Sequence, residues 1–81
     1  MVESRIAPRF RTAKPARIEF GKHSIPCIVR DLSLSGAAVE LSDKSIVVPP
    51  NKFTLVIPVD KLRFPARLVW RRDLRAGITF D

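Results

Sequence analysis

With 81 residues the chain is long enough for one small domain, which would bury only ~60% of the surface that its unfolded chain exposes. Its 46% hydrophobic and 28% charged residues are typical of folded globular proteins, and no apolar run approaches the roughly 20 residues of a membrane span. A formal net charge of +7 favours an anionic partner, whereas one cysteine and one histidine exclude an internal disulfide and a four-ligand zinc site from one chain.

The first 15 residues carry positive charge but no strand pattern. Pro8 and Pro15 disfavour a helix there, and the N-terminus lacks the apolar stretch of a secretory signal. We therefore predict a flexible basic arm over residues 1–15 of a cytoplasmic protein. The positive charges of this arm are Arg5, Arg9, Arg11 and Lys14.

Alternation of apolar and polar residues begins at Ala16 and continues through Phe20, which predicts a first strand. A short polar turn at residues 21–23 precedes a second alternating run, so the two form a hairpin. The segment from Asp31 to Gly36 interrupts the pattern, which then resumes as a third strand over residues 37–41.

Residues 42–51 contain Pro49 and Pro50 and are predicted to form a loop. Alternation returns at residues 53–57, in a long fifth strand over residues 61–72, and at the end of the chain. Pro65 has the outward parity of the fifth strand, which indicates a sheet edge or a bulge. The inward parity holds five aromatic residues, which are predicted to belong to the core: Phe20, Phe53, Phe64, Trp70 and Phe80.

Six short strands with hairpin-length connections are best buried by closing the sheet on itself, because closure removes exposed edges. We therefore predict an all-β fold, a small six-stranded antiparallel β-barrel over residues 16–81. Neither a metal site nor a cofactor is expected, and no Cys-His or Ser-His pairing suggests an enzyme.

Two constellations of residues could bind a ligand. Arg5 and Arg9 form an Arg-x-x-x-Arg pair on the arm, and the planar guanidinium groups suit phosphate oxygens. Asp31, Ser33 and Gly36 form an Asp-x-Ser-x-x-Gly motif, in which a carboxylate could accept hydrogen bonds from the N1–H and N2–H donors of guanine. The simpler interpretations are a solvated basic tail for the first and a turn bonded to its own backbone for the second.

The two motifs, separated by one hairpin, resemble those of the PilZ domain family, and the end segments Leu68–Trp70 and Gly77–Phe80 are also similar. The resemblance implies a bacterial receptor for cyclic di-GMP that regulates motility or exopolysaccharide production through an effector protein. It also implies that Arg5 and Arg9 hold phosphates and a guanine face, while Asp31, Ser33 and Gly36 contact a guanine edge and the ligand backbone. Ser4 stands where many members have a further arginine associated with a stacked ligand dimer, so one or two ligands could bind.

Two alternatives remain at this point. A PilZ-like adaptor could bind only protein, and a basic barrel could bind nucleic acid through the outward stripe of Arg63, Arg67 and Arg71. The second is disfavoured because barrels that bind single strands interleave basic residues with exposed aromatics, and here the aromatics are predicted to point inward. We expect no specific nucleic acid partner.

Overall fold

Six antiparallel strands close into a barrel in the computed structural model, which describes residues 10–49 and 51–81. The strand order around the barrel is β1-β2-β3-β6-β5-β4, so the predicted fold class is confirmed. The described residues contain no helix with the length and hydropathy of a membrane span. The strands are β1 (Phe10–Phe20), β2 (His23–Leu32), β3 (Gly36–Leu41), β4 (Phe53–Ile57), β5 (Leu62–Arg72) and β6 (Arg75–Phe80), with a 3₁₀ helix (Pro58–Asp60) between β4 and β5.

The core follows the alternation seen in the sequence, because successive residues of a strand point to opposite sides of the barrel wall. Each fully buried aliphatic side chain contributes about 1.5–3 kcal/mol, which this short chain needs. The largest fully buried side chains are Ile18, Val29, Val39, Leu41, Leu55 and Ile57.

Strand β1 begins at Phe10 rather than at Ala16, where the alternation becomes visible. Its first residues extend the pairing with β2, with Phe10 opposite Leu32 and Arg11 opposite Asp31. A register shift between Arg11 and Lys14 breaks the alternation, which explains why the pattern alone did not reveal this part of the strand. The remainder of the predicted arm, residues 1–9, lies outside the described residues.

A β-bulge in β5 reverses the parity of its second half. Leu68 pairs with Ile78 and Trp70 pairs with Gly77, so Val69 is an extra residue in β5. Trp70 therefore points outward and is 47% exposed, and its predicted place in the core is wrong. The other four predicted core aromatics are confirmed: Phe53 is buried, and Phe20, Phe64 and Phe80 pack against the core.

Pro65 lies neither on an edge strand nor at the bulge, contrary to expectation. It pairs with Thr54 in an unbroken register, and its carbonyl accepts a hydrogen bond of 2.9 Å from the Asp81 amide. The nitrogen of a strand residue lies on the same side as its carbonyl, so the missing N–H of Pro65 faces the end of β6. Pro65 has no N–H to return a second hydrogen bond, and this position lies just beyond the last β5–β6 pair, Ala66 with Phe80.

Arg71 fastens the loop between β3 and β4 to the hairpin between β5 and β6. Its guanidinium donates to the carbonyls of Ile46 at 2.8 Å and Lys44 at 3.3 Å, and its Nε donates to the Asp73 carbonyl at 2.9 Å. The bulge at Val69 turns Arg71 away from the outward basic stripe that the sequence predicted. Arg71 is therefore a structural residue, half-buried under the loop.

We predict that Arg71→Ala lowers the free energy of unfolding by about 1.5–3 kcal/mol, because charge-assisted hydrogen bonds to backbone carbonyls are lost. Arg67→Ala is the matched control, since Arg67 forms only an exposed ion pair with Asp81 and its loss should cost less than about 1 kcal/mol. Urea denaturation measures both values. Equal losses in the two variants would show that Arg71 does not hold the loop.

Candidate functional site

The predicted motif from Asp31 to Gly36 lines a cleft of about 300 Å³. The end of β2, the β2–β3 connection and the start of β3 form one side of this cleft, and β5 and β6 form the other. Asp31, Ser33 and Gly36 all line it, so the structure brings the three predicted residues together. Trp70 and Gly77 contribute to the opposite side.

Asp31 reaches the cleft because β2 also contains a bulge. Val29 pairs with Val39 and Asp31 pairs with Ala38, so Arg30 is an extra residue. Without it Asp31 would share the inward parity of buried Val29. The carboxylate is half-buried, and no side chain of the described residues hydrogen-bonds to it. As far as the described residues are concerned, its oxygens can accept hydrogen bonds from a ligand.

Ser33 has a structural role in the connection between β2 and β3. Its hydroxyl accepts hydrogen bonds from the backbone amides of Ser35 at 3.3 Å and Gly36 at 3.2 Å. Its own amide donates to the Gly36 carbonyl at 2.9 Å. The interpretation of a turn bonded to its own backbone is therefore right for Ser33, whereas Asp31 takes no part in these bonds.

Gly36 is required by a close approach between strands. A Cβ atom at this position would lie 2.2 Å from the carbonyl oxygen of Ile78, which belongs to the backbone of β6 and cannot move aside. The φ of Gly36 is not positive, so it is the close approach and not the backbone conformation that requires glycine here. The absence of a side chain thus brings β3 against β6 beneath the cleft.

Gly77 gives Trp70 its position, and sequence reasoning did not identify either residue as part of the site. The two residues pair directly across β5 and β6. A Cβ atom on Gly77 would lie 2.1 Å from the indole Nε1, so the ring lies directly over the glycine. An aromatic residue paired with a glycine on the neighbouring strand would have indicated this packing. The bulge at Val69 shifts the register between β5 and β6, so this pair could not be recognised in the sequence.

A comparison with protein families matches the PilZ domain to residues 3–81, nearly the whole chain. The chain belongs to the PilZ domain family. This confirms the resemblance drawn from the two motifs. PilZ domains are a family of receptors for cyclic di-GMP and are binding domains, not catalytic ones. A search of curated proteins found no match.

Arg5 and Arg9 fall within the matched segment but lie outside the residues that the structure describes, so their contacts with a ligand remain predictions. Arg9 directly precedes Phe10 in the sequence, and Phe10 pairs with Leu32, a residue of the cleft. Arg11, opposite Asp31, is exposed. The start of β1 of this PilZ domain thus lies beside the cleft.

Two arginines of the predicted outward basic stripe on β5 are paired with carboxylates. Arg63 forms an ion pair of 3.1 Å with Glu19, and Arg67 forms one of 2.8 Å with Asp81. The Arg17 guanidinium, followed by that of Arg63, holds the pKa of Glu19 below its usual value. The stripe therefore offers less free charge to a nucleic acid than the sequence suggested.

Cys27 is buried in the core. Burial raises the pKa of its thiol to about 12, so the thiol stays protonated and unreactive at neutral pH. Among the described residues no three His, Cys, Asp or Glu side chains cluster as metal ligands do. Cys27 is therefore not a candidate functional residue, and the candidate site of this domain is the cleft around Asp31.

We predict different outcomes for alanine at the two glycines of the cleft. Gly36→Ala should lower the free energy of unfolding by about 1–3 kcal/mol, because the new methyl group meets fixed backbone. Gly77→Ala should instead displace the indole of Trp70 and shift its fluorescence emission, which is readily measured because the chain has one tryptophan and no tyrosine. An unchanged emission spectrum for Gly77→Ala would contradict the packing of the ring on the glycine.

Proposed function

We propose that this PilZ domain is a cytoplasmic receptor for cyclic di-GMP that passes the signal to an effector protein and catalyses no reaction. One observation carries the proposal. The Asp31 carboxylate, which no described side chain engages, shares a cleft with the half-exposed ring of Trp70. This arrangement offers an acceptor for the edge of a base and an apolar surface for its face.

The chemistry of the cleft suits guanine. An ionised carboxylate accepts two hydrogen bonds, and guanine presents the N1–H and N2–H donors side by side. Stacking of a base on an aromatic side chain contributes about 1–3 kcal/mol. Ser33 and Gly36 support this site by shaping the loop, and the ligand contacts proposed for them are additional to their bonds within the turn.

Arg5 and Arg9 are proposed to bind the phosphates. Guanidinium groups form paired, charge-assisted hydrogen bonds with phosphate oxygens. The sequence places Arg9 next to the first residue of β1, whose partner Leu32 lines the cleft. A ligand that spans the cleft and the arm would meet both the carboxylate and the arginines.

An adaptor that binds only protein is the second candidate, and exposed apolar side chains beside the cleft favour it. Leu34, at the tip of the β2–β3 connection, is 86% exposed, and Val69 in the bulge is 62% exposed. A contiguous exposed apolar surface often marks an interaction site, and Leu34 follows Ser33 of the cleft that Val69 lines. Nucleic acid is the weaker candidate: Trp70 does point outward, but Arg63 and Arg67 on β5 are paired with carboxylates.

We predict that the purified protein binds cyclic di-GMP with a Kd in the micromolar range or tighter, or about −8 kcal/mol or better. Calorimetry and quenching of Trp70 fluorescence should give the same Kd. Asp31→Ala should weaken binding by about 1.5–3 kcal/mol because a charged acceptor is lost. Asp60→Ala is the control, since Asp60 is bound to Lys14 and does not line the cleft.

Cyclic di-AMP serves as the second ligand in the same titrations. Because adenine lacks the N1–H and N2–H pair, cyclic di-AMP should bind the native protein more weakly than cyclic di-GMP does. Asp31→Ala should reduce this difference in affinity between the two dinucleotides. Equal binding of the two dinucleotides would remove Asp31 from its proposed role. The absence of any binding to cyclic di-GMP would favour the adaptor.

We predict that Arg5→Ala and Arg9→Ala each weaken cyclic di-GMP binding by about 1.5–3 kcal/mol, and that lysine at either position restores little because it lacks the planar pair of donors. Arg63→Ala and Arg67→Ala remove the same formal charge from the barrel wall. Their effects should be small and should disappear with added salt. Equal losses in all four variants would indicate attraction by charge alone.

A further inference from the structure

Trp70 also lines a second groove, of about 700 Å³, between β3 and the hairpin that joins β5 to β6. Of the residues proposed above to contact cyclic di-GMP, Trp70 lines this groove, whereas Asp31, Ser33 and Gly36 do not. Its lining is rich in arginine and includes two apolar side chains, Trp70 and Leu74. The lining residues are Glu40, Trp70, Arg71, Arg72, Asp73, Leu74 and Arg75.

Two arginines of the groove retain free hydrogen-bond donors. Arg72 is exposed, and no carboxylate of the described residues lies within ion-pair distance of it. Arg75 lies 4.0 Å from Glu40, which is too far for a hydrogen bond. Glu40 already accepts a hydrogen bond of 2.8 Å from Arg30, and this contact, more than Arg75, lowers the pKa of Glu40.

The groove has a rigid base. Arg71 is bound to three backbone carbonyls and is not available to a partner, but it fixes the hairpin against the β3–β4 loop. In this hairpin Arg72 pairs with Arg75, so the two guanidinium groups, of which Arg75 is only loosely paired with Glu40, project from neighbouring positions. Leu74 is half-buried at the turn and adds apolar surface beside them.

We infer that this groove docks an acidic peptide segment of a partner protein, with glutamate or aspartate side chains on Arg72 and Arg75 and an apolar residue against Trp70 and Leu74. A peptide also has backbone N–H groups, which can donate hydrogen bonds to the carboxylate of Asp73. A nucleic acid is less suited because it carries a phosphate at every step, whereas a peptide can place an apolar residue and backbone N–H groups beside the carboxylates of Glu40 and Asp73. β3, β5 and β6 are paired on both sides around the groove, so the partner binds through side chains and not by adding a strand.

The test is an NMR titration of the ¹⁵N-labelled protein, without cyclic di-GMP, using the blocked pentapeptide Glu-Glu-Leu-Glu-Glu. The expected result is a set of chemical-shift changes concentrated at residues 70–75, including the Trp70 indole N–H. The peptide Gln-Gln-Leu-Gln-Gln should bind more weakly, and added salt should weaken the binding of the acidic peptide. Because no cyclic di-GMP is present, the outcome is independent of the proposed function.

The variant R72Q/R75Q should bind the acidic peptide roughly fivefold more weakly, as expected for two exposed ion pairs. R63Q/R67Q is the matched control, because it removes the same charge from arginines already paired with Glu19 and Asp81. All four side chains are exposed, so both variants should keep the native spectrum. Equal weakening in both, or shifts absent from residues 70–75, would overturn the proposal.

Oligothymidylate is the competing polyanion in the same titration. The acidic peptide should perturb residues 70–75 at a lower concentration than the oligonucleotide does. Tighter binding of oligothymidylate to these residues, with the same dependence on Arg72 and Arg75, would show that the groove takes nucleic acid and would overturn the peptide assignment.

Discussion

Two β-bulges determine which side chains of this small barrel are available to bind a ligand. In a closed barrel every second side chain must enter the core, and Asp31 and Trp70 share the inward parity of Val29 and Leu68. An extra residue in β2 and another in β5 reverse that parity, so a carboxylate and an indole face one cleft instead of the core. The bulges are thus the feature on which the proposed guanine site depends.

Close packing fixes the geometry around the bulges. Ser33 holds the β2–β3 connection through backbone amides, Gly36 lets β3 approach the backbone of β6, and Gly77 accommodates the ring of Trp70. These contacts lie within the protein itself and restrain this part of the site, which reduces the conformational freedom that it can lose on binding. Trp70 lines both the cleft and the arginine-rich groove, which makes it the shared wall of the two proposed binding surfaces.

The sequence predicted the barrel because alternation is a strong signal wherever one face of a strand is buried. Ile18, Val29 and Val39 follow it and are fully buried. The prediction failed at Trp70 because a bulge adds one residue without a sign in the local sequence: Val69 is apolar and fits a regular strand. It also missed the start of β1, where the residues alternate little and the register shifts.

The residues of the candidate site were predictable to different degrees. Asp31, Ser33 and Gly36 were identified by their motif, and the structure brings them together in one cleft. The contribution of Trp70 could not be predicted, because it depends on register across β5 and β6. For Ser33 the sequence left two interpretations, a ligand contact and a turn bonded to its own backbone, and the structure shows the second.

A crystal structure of the domain with cyclic di-GMP is the most direct measurement of the guanine site. The predicted result is a guanine whose N1 and N2 atoms lie within hydrogen-bonding distance of the Asp31 carboxylate, with Trp70 packed against the base. A ligand held only by arginines, with Asp31 and Trp70 free of contact, would contradict it.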